Sequence, residues 1–148
     1  MTFEKLEMEL PNGFHDAKIK SISLDYVSRT AKLKMNLLVG VGAPEDRNAA
    51  VYRPGTTSVH GLLLFWVEPP DPKYNFLPDG SPLNVDGDSV RNGQNAEVDR
   101  LLPSLPQSAI VYRFFLEEWN SFLYLAGDSV EFSWDDNGAL TATRDIEV

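Results

Sequence analysis

Thr30-Ala31-Lys32-Leu33-Lys34-Met35-Asn36-Leu37-Leu38-Val39-Gly40-Val41 sets Ala31, Leu33, Met35, Leu37, Val39 and Val41 at odd positions, with Lys32, Lys34 and Asn36 between them. A period of two is the mark of a strand with one buried and one wet face. Upstream, Ala17 to Tyr26 places Ile22, Leu24 and Tyr26 on one face while Ile19 is out of phase. A β-bulge near Lys20 and Ser21 corrects that phase. Val27-Ser28-Arg29 then joins the two runs as a hairpin.

The same pattern recurs along the chain. Thr56 to Glu68 and Ala109 to Leu116 are rich in β-branched and aromatic residues. Leu62-Leu63-Leu64-Phe65-Trp66-Val67 is apolar on both faces, which predicts a central strand covered on both sides or a strand with one face in an interface. Phe122-Leu123-Tyr124-Leu125 is similar. Val130 to Trp134 and Leu140 to Thr143 flank Asp135-Asp136-Asn137-Gly138, where Asn-Gly favours a hairpin turn. Leu6, Met8 and Leu10 add a short edge strand. The predicted fold is therefore mainly β: an antiparallel β-sandwich or flattened barrel of about seven or eight strands with little helix. The one helical turn expected runs from Asn95 to Leu102 and stops at Pro103.

Residues 69–108 hold seven of the ten prolines, together with Gly80, Gly87 and Gly93. They read as one long Pro/Gly-rich flap within a single domain spanning residues 1–148, pinned by Tyr74, Phe76, Leu77 and Leu83. The whole chain has 148 residues, enough to bury a core without a metal or disulfide. It contains no cysteine, which excludes disulfides and zinc-thiolate sites. Its longest apolar run is far too short to span a bilayer, and its N-terminus lacks a secretory layout, so a cytosolic setting is expected.

A net charge of -9 opposes binding to nucleic acid or to anionic membranes. Residues 1–36 carry six cations and five anions, whereas residues 114–148 carry one cation and eight anions. An acidic C-terminal third suits a basic partner protein, because charge steers encounter.

Catalytic patterns are sparse. There is no Gly-x-Ser-x-Gly elbow, and the two histidines, His15 and His60, limit any serine triad. His60 reads as a satisfied histidine on a sheet face. His15 and Asp16 stand where the first long strand opens; a regular strand would point them to opposite faces, whereas a loop would let them pair. Asp86 to Glu97 has acids at positions 1, 3 and 12 of a calcium-loop frame, but Val90 and Arg91 occupy positions that need a ligand and a glycine. No metal or other cofactor is expected. Glu117-Glu118-Trp119-Asn120 reads as a connection between two strands that projects polar and aromatic groups together. Within it, Trp119 is either an anchor for a partner or a cap folded back on the core.

Phe14-His15-Asp16-Ala17, followed by Ile19, Ile22 and Leu33-Lys34-Met35, resembles the opening of uncharacterised bacterial families whose first strand begins His-Asp-Ala, some grouped with toxin-immunity proteins. The resemblance covers roughly residues 1–40. It implies a small β-rich bacterial protein without known enzymatic chemistry, and it carries over no catalytic residue.

Three functional readings follow. The first is a non-enzymatic binding protein, immunity-like, that presents Glu117, Glu118, Trp119 and Asn120 to a basic protein. The second is a small-ligand binder or enzyme with a pocket under the 69–108 flap and His15, Asp16 and Tyr112 as its polar groups. The third is a homodimer that buries the apolar strands 62–67 or 122–125.

Overall fold

The computed structural model describes residues 1–41, 50–73 and 82–136. Its elements are α1 (Phe3–Glu9), β1 (Ala17–Asp25), β2 (Thr30–Val41), β3 (Ala50–His60), β4 (Leu64–Val67), β5 (Leu83–Ser89), α2 (Ala96–Leu101) with a 3-10 turn at Leu102–Ser104, β6 (Ile110–Leu116), β7 (Ser121–Gly127) and β8 (Ser129–Trp134). The strands form one sheet in the order β4-β7-β6-β5-β1-β2-β3-β8, and every pairing is antiparallel. The mainly β, antiparallel expectation holds. The sheet folds over one interior without closing into a barrel.

Two short connections bring the distant strands together. Leu63 N donates to Ala126 O and Asp128 N donates to His60 O, each at 2.8 Å, which ties the start of β4 and the end of β3 to β7 and its turn. At that crossing Gly127 has room for no side chain: a Cβ there would stand 2.6 Å from Val59 Cγ1. Inward residues from both halves of the sheet consequently share one core. Leu33, Met35 and Leu37 of β2 pack in it with Phe114 and Leu125. The alternation of β2 runs as read from the sequence up to Met35, beyond which Asn36, expected on the wet face, is buried as well as Leu37; the bulge in β1 falls where it was expected, with pairing passing from Ile19 to Ser21.

Three expectations are corrected. Leu6, Met8 and Leu10 do not form an edge strand but belong to helix α1 and its cap. Phe3, Leu6 and Leu10 are buried at helical spacing, Met8 is exposed, and the Thr2 side chain caps the first turn by accepting from Lys5 N at 3.2 Å. The segment 62–67 is not central: among the described residues β4 ends the sheet order, paired only with β7. Its two faces are nonetheless used, because Phe65 packs on the core and the indole nitrogen of Trp66 is buried. Residues 69–108 are not one flap, since they include β5, a central strand between β6 and β1. That strand carries few apolar residues because Gly87 yields its inward space to the Tyr112 ring; a Cβ would lie 2.3 Å from the phenol oxygen. The three acids from Asp86 to Glu97 stand on two different elements. Asp86 and Asp88 lie on β5, and Glu97 lies on α2 paired with Arg100 at 2.5 Å.

Helix α2 matches the turn expected at 95–102, with the Asn95 side chain accepting from Glu97 N and Val98 N. Val98 is fully buried. Tyr74, Phe76, Leu77 and the predicted strand Leu140 to Thr143 with its Asn137-Gly138 turn lie outside the described residues.

Candidate functional site

β5 brings two stretches together that are far apart in sequence. On one side Ala17 pairs with Val85, and on the other Leu116 pairs with Val85. The residues just outside those pairs, Asp16 before β1 and Glu117 after β6, therefore flank the same point of β5.

The approach to β1 is not a regular strand. Gly13 and Asp16 have φ values of 55° and 53°, in the left-handed region. This is the loop geometry that lets neighbouring side chains meet: His15 Nε2 lies 3.3 Å from Asp16 Oδ2. The other ring nitrogen, Nδ1, lies 3.1 Å from Asp86 Oδ1, and Asp16 N donates to the same oxygen at 3.1 Å. A protonated imidazole donates from both nitrogens and so satisfies both carboxylates at once.

Glu117 joins this group electrostatically. Partial burial first, then the charges of Asp86, Glu118 and Asp16, push its carboxyl above the ordinary value of 4.5, and His15 opposes them. Its backbone N donates to Asn84 O at 3.0 Å, which fixes the turn to β5. Glu118 is anchored beside it, accepting from Asn84 N at 2.9 Å and from Asn84 Nδ2 at 2.5 Å.

Trp119 turns away from these carboxylates. It packs against the core and lines an apolar pocket of about 220 Å³ with Ile19, Ile22, Leu83, Leu116 and Leu123. Asn120, at φ 47°, donates from Nδ2 to Asp71 Oδ2 at 3.1 Å, and Asp71 N donates to Trp119 O at 2.8 Å. The start of the proline-rich segment is thus fastened to the β6–β7 turn. Tyr112 sits apart from the carboxylate group. Its ring is fully buried, stacked on Phe3 at 4.4 Å, and its hydroxyl donates to Glu7 of α1. Burial pushes the Glu7 carboxyl up. His60 pairs with Glu131 at 3.0 Å across β3 and β8.

His15, Asp16 and Asp86 offer one ligand atom each, all within 4.8 Å of one another. One imidazole and two carboxylates suit a divalent ion such as zinc or manganese. The same three groups also saturate one another without an ion. Sequence reasoning named His15, Asp16 and Glu117 separately and missed Asp86 and Asn84 as the groups that join them. No short-range signal marks those two, because their roles depend on the register of β5.

No family model matches the chain, and neither a curated protein nor a solved structure matches it. Among the described residues, no helix is long and apolar enough to cross a membrane.

Proposed function

We propose that the chain is a binding protein that engages a basic partner protein through the acidic edge formed by Asp16, Asp86, Glu117 and Glu118. One observation carries this reading. Asp16 and Asp86 contact His15, Glu117 lies within the field of these groups and of Glu118, and among the described residues no lysine or arginine lies within ion-pair distance of any of the four carboxylates. A cluster in which carboxylates outnumber the one histidine, held on strand ends and tight turns, attracts cationic groups and discriminates by charge. The immunity-like form of the reading, in which the edge covers a basic toxin, is its most specific version.

The test uses a Lys/Arg-rich peptide titrated against the full chain at two salt concentrations. Binding should weaken as salt rises and should be lost in the double variant Glu117→Lys, Glu118→Lys. An affinity that neither salt nor the double variant alters sinks the proposal.

A further inference from the structure

The apolar pocket lies on the inner face of the sheet, whereas the acidic edge belongs to the outer face and the turns. The pocket is the open end of the interior. Leu116 and Leu123 belong equally to the buried core, and Val67, 38% exposed, stands at the solvent side. Its volume of about 220 Å³ is below the roughly 300 Å³ at which sites for drug-sized ligands begin, so its occupant is small. A polypeptide partner needs a far larger contact than this.

The rim carries a charge. Pairing between β1 and β2 passes from Ile19↔Met35 to Ser21↔Lys34, which leaves Lys20 as the extra residue of the bulge. Bulges re-aim the side chains they contain. Lys20 and Ser21 accordingly join Ile19 and Ile22 in the lining. Among the described residues no carboxylate lies within ion-pair distance of Lys20, and the residue paired with its neighbour Ser21 is another cation, Lys34. An apolar cavity with a positive, hydroxyl-bearing rim is complementary to a molecule with a greasy body and an anionic head.

We propose that this pocket binds a small amphipathic anion, its hydrocarbon part against Trp119, Leu83 and Leu123 and its carboxylate toward Lys20. The full chain is titrated with octanoate, octanol and octylamine, three probes of one tail and three heads, and tryptophan fluorescence reports occupancy. Octanoate should saturate the signal at least tenfold more tightly than octylamine, with octanol between them. Lys20→Glu changes an exposed side chain, so the melting temperature should stay put while the order of octanoate and octylamine reverses. One shared affinity for all three probes, an order unmoved by Lys20→Glu, or no saturable response to octanoate would overturn the assignment.

Discussion

On strand β6, Tyr112, Phe114 and Leu116 face the interior while Arg113 and Phe115 face outward, and the two sets live in different surroundings. Inside, Phe114 meets Phe14 edge-on at 5.1 Å and Tyr112 at 5.2 Å, and the one polar atom of this group, the Tyr112 hydroxyl, has Glu7. Outside, Arg113 stands in a row across the sheet, opposite Asp88 on β5 and Tyr124 on β7, and Tyr124 in turn stands opposite Trp66 on β4. Arg113 reaches Asp88 at 3.1 Å and lies 4.1 Å over the Phe122 ring. Arg113 also meets the Tyr124 hydroxyl, yet Arg113 Nε, Trp66 Nε1 and Asp99 Oδ1 of α2 are buried without a hydrogen-bond partner among the described residues. The inner face is packed with its polar atom met, whereas the outer layer trades the contacts of Arg113 against unmet polar atoms, each of which costs about 1–3 kcal/mol.

The largest effect that would break this comparison is Leu37→Asp. It places a carboxylate at a fully buried inner position, and the cooperative thermal transition should disappear. A variant that still melts cooperatively would mean the inner face tolerates charge. Next is Gly127→Ala, whose new methyl group collides with Val59 where the two ends of the sheet cross. A loss of about 1–3 kcal/mol in denaturant unfolding is expected.

A matched pair sharpens the contrast. Tyr112→Phe removes the partner of a half-buried Glu7 and should cost about 1–3 kcal/mol, whereas the Tyr124 hydroxyl meets only the Arg113 side chain, so Tyr124→Phe should cost clearly less. Equal losses from the two substitutions would erase the distinction between the faces.

The smallest effect concerns pH. The folded chain holds the Glu117 proton more tightly than the unfolded chain does, so this residue favours folding at low pH. That contribution fades as pH rises from 4.5 through the raised folded value. Glu117→Gln should flatten this part of the curve of melting temperature against pH. An unchanged slope would show that neither burial nor the neighbouring carboxylates raise this carboxyl.

The sequence made β2 legible because its inward residues Ala31, Leu33, Met35 and Leu37 are all apolar and Lys32, Lys34 and Asn36 stand between them. It made the β6–β7 connection legible because Glu117 to Asn120 interrupts two apolar runs. β5 was hidden for a physical reason: its inward positions are Leu83, Val85 and Gly87, and the glycine is required by a tyrosine on the neighbouring strand. Helix α1 was hidden because Leu6, Met8 and Leu10 fit a strand as well as a helix, and only the burial of Phe3 decides between them. The candidate site inherits the first of these gaps. His15, Asp16 and Glu117 can be picked out one at a time, but their meeting point exists only once Asp86 and Asn84 are threaded between β1 and β6.

The contact between α1 and β6 reaches beyond the folded molecule. Glu7 and Tyr112 are 105 residues apart, so a ribosome needs about 5–20 s to synthesise the second after the first. During that interval Phe3 and Leu6 have emerged and Tyr112 and Phe114 have not. The nascent chain spends those seconds with its first apolar residues lacking the strand they will pack on, and a segment of seven residues holds little helix by itself until the sixth strand is born.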